Sequence, residues 1–184
     1  MSEATFRIVA LAADHDRRPF DSGCVALDRY FQRQVTQDIR RRVTACFVAL
    51  TQEQRIAGYY TLASASLCLS ELPAETAKKL PRYPSIPAVR LGRLAVHRAF
   101  HGQGLGGALL ADALKRAARA EIAAFALVVE AKDEQAAAFY HHHGFIALSD
   151  SPHTLFLPLS KGLINRGNLS TRKPLPPTPP WITC

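Results

Sequence analysis

A chain of 184 residues, 48% hydrophobic and 21% charged, has the size and balance of one globular domain able to bury a core. No apolar run reaches the roughly 18–20 residues of a membrane span, and the opening Met-Ser-Glu-Ala-Thr-Phe lacks a signal peptide's basic start and apolar centre, so the cytosol is the expected compartment. The formal charge is +8, and half of it lies in residues 161–184, which hold Lys161, Arg166, Arg172 and Lys173 and no acid; the rest permits a polyanionic partner such as RNA without requiring one.

Along the chain, residues 5–11 read as a first strand with Phe6 and Ile8 on one face. Leu27, Phe31, Val35 and Ile39 recur at helical spacing, which predicts an amphipathic helix over 25–40 started near Asp21 or Ser22. It ends in Arg40-Arg41-Arg42, where cations suit a helix C-terminus and could also meet phosphate. Strands are predicted at 43–50 and 55–69, joined as an antiparallel hairpin by Thr51-Gln-Glu-Gln54. A short helix is expected at 74–80. Pro81-Arg-Tyr-Pro-Ser-Ile-Pro87 reads as a stiff loop, because three prolines in seven residues suit neither helix interior nor central strand.

A strand at 89–96 and a helix at 104–121 follow, the helix with Leu105, Leu109, Ala113 and Ala117 on one face. Then come a strand at 125–130, a helix at 134–143 closed by Gly144, and final strands at 145–148 and 154–159. The order implies a mixed α/β fold, its early strands joined by hairpins and its later ones alternating with helices. Residues 161–184 lose apolar periodicity, and five of the last eleven are proline. The expected organisation is a domain over 1–160 and a basic, proline-rich tail over 161–184 that is disordered or polyproline-like. The four cysteines, at 24, 46, 68 and 184, have no Cys-x-x-Cys spacing and suggest neither a zinc site nor a redox pair. Cys46 and Cys68 fall in apolar strand-like runs and are expected in the core.

The glycines at 102, 104, 106 and 107 lie between the 89–96 strand and the long helix. Backbone N–H groups at a helix start have no internal partners, and the helix dipole favours an anion there. Glycines let a phosphate approach the backbone itself. Gly102-Gln-Gly104-Leu-Gly-Gly107 matches the dinucleotide pattern, with Glu130 at a later strand end, but that fold turns tightly at its first glycine. Here His97-Arg-Ala-Phe-His101 intervenes, and the preceding strands form hairpins, so that reading is rejected. A triphosphate loop is excluded because no Gly-Lys-Ser/Thr follows.

His101-Gly-Gln-Gly104-Leu-Gly106 resembles the Arg/Gln-x-x-Gly-x-Gly/Ala motif of the GCN5-related N-acetyltransferases, with His101 in the first position. Asp133-Glu-Gln-Ala136-Ala-Ala-Phe-Tyr140, followed by Gly144-Phe145, is similar to that family's Asn-x-x-Ala-x-x-x-Tyr and Gly-Phe, with Asp133 in place of Asn. Phe20–Tyr30, Gly58–Ala63, Leu91–Val96 and Leu155–Leu159 further resemble the bacterial toxins of this superfamily, the likeness covering residues 5–160.

The resemblance implies a central mixed, mostly antiparallel sheet flanked by helices on both faces, and acetyl-CoA as donor. It implies that Leu94, Ala95 and Val96 splay from the neighbouring strand and offer backbone groups to the pantetheine. The amides of Gly102, Gln103, Gly104, Leu105, Gly106, Gly107 and Ala108 would hold the pyrophosphate, with His101, Asp133 and Ala136 also in the cofactor set. Tyr140 would protonate the leaving sulfur. It also implies acetylation of the α-amino group of aminoacyl-tRNA, a block of translation, a small ribbon-helix-helix antitoxin and dimerisation.

The chemistry is consistent with these implications. A tyrosine of ordinary pKa about 10 is protonated at neutral pH and ready to donate. No general base stands out. An α-amine at about 7.7–8.0 is already roughly a tenth to a fifth neutral at pH 7, whereas a lysine at about 10.4 is neutral in roughly one molecule in a few thousand; the missing base therefore leans toward an α-amine. Arg82, Arg90 and Arg93 could contact tRNA phosphate, extended by Arg40, Arg41 and Arg42. His141-His142-His143 is not expected to bind a metal, since consecutive helical residues point in different directions. Two other readings stay open: the same fold acting on a protein or small-molecule amine, and a non-catalytic acetyl-CoA- or RNA-binding module.

Overall fold

The computed structural model describes residues 5–159 and 181–183, the last three as backbone only. In chain order the elements are β1 (Arg7–Ala10), α1 (Val25–Arg33), α2 (Val35–Arg40), β2 (Ala45–Leu50), β3 (Ile56–Cys68), α3 (Ala74–Ala77) and β4 (Ser85–Val96). They continue with α4 (Leu105–Arg119), β5 (Ala126–Glu130), α5 (Glu134–His142), β6 (Ile146–Leu148), β7 (Ser151–Pro158) and β8 (Trp181–Thr183). The strands form one sheet in the order β1-β2-β3-β4-β5-β7-β6, with β8 against β4. Among the described residues only β4 and β5 run parallel; every other pair is antiparallel. That is the mixed, mostly antiparallel sheet expected.

Helices cover both faces. On one, Leu105, Leu109, Ala113 and Ala117 of α4 and Phe139 and Tyr140 of α5 share a buried cluster with Tyr60, Leu91, Leu94 and Leu127. Each fully buried leucine there contributes about 1.5–3 kcal/mol of apolar transfer. On the other face, Leu27, Tyr30, Phe31 and Val35 pack on Val48, Leu50, Tyr59 and Ala95. Alternation along β3 divides the strand between the two cores, Tyr59 facing one and Tyr60 the other.

The structure corrects three expectations. The helix predicted over 25–40 is two helices. In a continuous helix the Phe31 carbonyl would accept from Val35, but it accepts from the Arg17 guanidinium at 2.7 Å, and the ladder breaks at Gln34. Pro87 lies inside the central strand β4 instead of in a loop. Its carbonyl accepts from Phe125 N–H at 2.8 Å, so its nitrogen faces the same side, where β5 has not yet begun and no ladder bond is lost. Cys46 is buried and its thiol is pushed up to about 12 by desolvation, but Cys68 is exposed. Cys68 ends β3 on the face opposite buried Leu67.

The disorder expected over 161–184 lies outside the described residues, apart from β8. Among the described residues no helix is long and apolar enough to cross a membrane.

Candidate active site

The centre of the sheet is a fork. β4 pairs with β5 only from Ala88 to Leu91, whereas it stays on β3 as far as Val96. The departure coincides with a bulge: Leu62 faces Leu91 and Tyr60 faces Leu94, so Gly92 and Arg93 together oppose Thr61. The buried Thr61 hydroxyl accepts the Arg93 N–H at 3.0 Å, replacing the ladder bond the bulge removes. Leu94, Ala95 and Val96 therefore run on with β5 no longer beside them. Nothing in apolar periodicity pointed to Thr61; the signal was its place in the toxin-like Gly58–Ala63 stretch.

Past Val96 the chain turns through a short 3-10 segment, Arg98–Phe100, tied to the N-terminal loop by the Arg98–Asp21 ion pair at 2.7 Å. This is the five-residue interval that spoke against a dinucleotide fold. His101 closes it. Its Nε2 lies 2.8 Å from the Val96 carbonyl; a carbonyl only accepts, so Nε2–H donates. The side chain pins the glycine loop to the end of β4, which accounts for a histidine at this motif position.

Gly102 and Gly104 both have φ of +76°, and a Cβ on either would meet nothing within 4 Å. The loop needs glycine for its left-handed backbone and leaves the space in front of it clear. The first helical bond of α4 runs from Ala108 N–H to Gly104 O at 3.1 Å. The amides of Leu105, Gly106 and Gly107 precede that ladder and, with Gly102 and Gln103, form the anion cradle at the start of a 15-residue helix. Ala108 has its amide committed to the helix, so the cradle ends one residue earlier than the sequence suggested. Val96, Phe100, His101, Gly102, Gly104, Leu105 and Gly106 line a small concavity here. This geometry fits a pyrophosphate followed by an extended arm: a backbone cradle at a helix start, continuous with a strand that has left its parallel neighbour.

α5 delivers the second motif. Asp133 is its N-cap, Oδ1 accepting from Ala136 N–H at 2.8 Å. Asp caps as well as Asn, so the departure from the family residue preserves this local role. Ala136 is fully buried. Tyr140 is fully buried between Phe139 and Phe145, each ring 5.3 Å away and edge-on. His141, His142 and His143 diverge. His141 Nδ1 is 3.1 Å from Phe145 O, His142 is exposed, and His143 is half-buried against Phe139, where desolvation lowers its pKa.

The arginines divide by environment. Arg93 is half-buried with its guanidinium 3.5 Å from the centroid of the Tyr30 ring. The Tyr30 hydroxyl donates to Asp38 at 3.0 Å, and burial with that bond raises its pKa. This Arg93–Tyr30–Asp38 chain, which sequence reading missed, joins the fork to α1 and α2. Arg90 is exposed and lies 3.5 Å from Glu130, so that carboxylate is engaged by a cation. Arg40, Arg41 and Arg42 are exposed at the end of α2, and Arg82 is exposed ahead of β4.

Comparison with known proteins matches residues 21–154 to the acetyltransferase (GNAT) domain. A tRNA-acetylating toxin of Mycobacterium tuberculosis is 34% identical over 145 residues, 77% of this chain and 86% of that protein. A probable toxin TacT of Sinorhizobium fredii is 28% identical over 157 residues, covering 79% and 86%. Among solved structures, AtaT complexed with acetyl-methionyl-tRNAfMet superposes with a TM-score of 0.78 at 33% identity, covering 84% of this chain and 95% of that one. AtaTR bound with AcCoA superposes with a TM-score of 0.72 at 33% identity, covering 84% and 94%. The match over residues 21–154, together with a relative 34% identical over 77% of this chain, shows the family: the chain belongs to the GCN5-related N-acetyltransferases.

Proposed function

We propose that this chain is a toxin that transfers the acetyl group of acetyl-CoA to the α-amino group of an aminoacyl-tRNA, blocking translation, and that a ribbon-helix-helix antitoxin neutralises it in the cytoplasm. The observation that carries the donor side is the departure of β4 from β5 after Leu91, leading into the cradle at Gly102–Gly107. The similarity to a tRNA-acetylating toxin and to AtaT bound to acetyl-methionyl-tRNAfMet supports the acceptor.

Acetyl-CoA supplies an activated thioester whose acyl carbon accepts an amine. The chain's own residues do the rest. Amides from Gly102 to Gly107 bind the pyrophosphate, with His101 holding their loop in place. Backbone groups of Leu94, Ala95 and Val96 orient the arm. Asp133 and Ala136 start the helix that carries Tyr140, whose hydroxyl proton goes to the departing sulfur, the proton lost by the acylated amine passing to solvent and solvent restoring the phenol. The amine acceptor is partly neutral at pH 7 without help, consistent with Glu130 being engaged by Arg90 and not aimed as a base. Arg93, held on the Tyr30 ring, faces the acceptor side with Arg90, and Arg40, Arg41, Arg42 and Arg82 add phosphate contacts.

Incubation of the purified chain with labelled acetyl-CoA and charged tRNA tests this. Label is expected on the aminoacyl group and released with it by mild alkaline deacylation. Label found only on protein or free lysine would replace the tRNA reading with acetylation of another amine.

A further inference from the structure

β8 lies at the centre of the proposed site. Trp181–Thr183 pairs antiparallel with β4, Thr183 facing Leu94 and Trp181 facing Ala95, with an irregularity between them. These are two of the three residues at the end of β4, Leu94 to Val96, that have β3 on one side and have lost β5 on the other. α5, which carries Tyr140, contacts β8 as well. The C-terminal strand thus runs where β4 and β5 part, alongside the helix bearing the proposed proton donor.

Backbone groups on an unpaired strand edge in a buried setting cost about 1–3 kcal/mol each when left without a partner. With β8 paired to them Leu94 and Ala95 are fully buried, and on that edge a ligand's amides or another strand can partner their outward groups. We propose that β8 is an internal competitor for the pantetheine arm of acetyl-CoA, docking on Leu94–Ala95 in the free protein and leaving when the donor binds. The inference rests on the acetyl-CoA reading above and adds regulation of that site by the chain itself.

Two features make the exchange reversible. A three-residue strand offers few ladder bonds, so its hold is weak. It is nevertheless tethered: the 21 residues from Ser160 to Pro180 could span up to about 70 Å if extended, and a tether holds its end at an effective concentration in the millimolar range. A strand docked nine-tenths of the time reduces apparent donor affinity about 10-fold, since only the undocked fraction binds. The same edge accepts either occupant and never both.

The test is amide hydrogen exchange on the full chain with and without CoA, beside a Trp181→Pro/Thr183→Pro variant that disfavours strand pairing at β8. In the free wild-type chain, 181–183 should be protected. With CoA, protection should appear over Gly102–Gly107 and vanish from 181–183. The variant should bind CoA about 10-fold more tightly by calorimetry and show a correspondingly lower KM for acetyl-CoA at unchanged kcat. Protection gained at 102–107 with 181–183 still protected, equal CoA affinity in the two chains, or an unprotected 181–183 in the free chain would each overturn the inference and leave the donor reading standing. No protection at 102–107 in either chain would overturn the donor reading and the inference together.

Discussion

Tyr140, His101 and Asp133 show three ways in which a motif residue serves the site. Tyr140 is the proposed source of the transferred proton, so Tyr140→Phe should lower kcat by about 10²–10⁴-fold while CoA affinity stays within a few-fold; steady-state kinetics and calorimetry separate the two. Asp133 acts through α5. Asp133→Ala should cost about 0.5–2 kcal/mol as a lost cap, read by denaturant unfolding, whereas Asp133→Asn should restore stability. His143 is half-buried and its pKa is lowered by desolvation. The unfolded chain then binds the proton more readily than the folded one, so the contribution of His143 is present above the ordinary histidine pKa near 6.5 and is lost as pH falls below it. A melting-temperature profile from pH 7.5 to 5 should drop on the acid side, and His143→Gln should flatten that drop.

The decisive element is the bulged end of β4. Its bend depends on one hydroxyl: Thr61→Val keeps the shape but leaves the buried Arg93 N–H unpartnered, at a cost of about 1–3 kcal/mol in denaturant unfolding, with KM for acetyl-CoA raised as the fork loosens. The close seating of α4 depends on Gly58, where a Cβ would come within 2.9 Å of both Ala95 O and Leu109 Cδ1. α4 is further locked to β3 by Tyr60, which donates to Asp112 Oδ2, an oxygen that also accepts from Arg116 one turn along the same helix. Most of these elements were legible in the sequence: the 105–117 apolar face, the hairpin over 45–68 and the α5 motif all lie where periodicity and spacing put them. The missed features were tertiary. The break at Gln34 arises from Arg17 reaching a carbonyl fourteen residues away, and Pro87 is tolerated in β4 because of where β5 starts.

Across the whole molecule, charge and shape divide the labour. The proposed donor side is built from backbone at Gly102–Gly107 and along β4, so its affinity should vary little with salt beyond the pyrophosphate's own charge. The proposed acceptor side relies on arginines, and its binding should fall steeply with salt. Replacing Arg40, Arg41 and Arg42 with alanine should weaken tRNA binding and reduce the log–log salt slope by about one for each phosphate no longer neutralised, leaving CoA affinity unchanged. Filter binding at several salt concentrations measures both. Arg93→Ala should do more damage than any one of these, since it also uncovers the Tyr30 ring that its guanidinium covers at 3.5 Å.

The cradle that anchors the chain's chemistry was readable as letters, because glycines between a strand and a helix, and a tyrosine seven residues after a cap, are local patterns. Family, fold and donor followed from them. The fork behind the cradle was expected only through the family resemblance, and no local pattern of letters explains it: it exists because one strand keeps its antiparallel neighbour after losing its parallel one, and a threonine on the adjacent strand satisfies the bulge. Nor could composition place the last residues of a proline-rich tail against β4. Such pairing is decided by which backbone edges the folded sheet leaves open, and the open edge lies at Leu94 and Ala95.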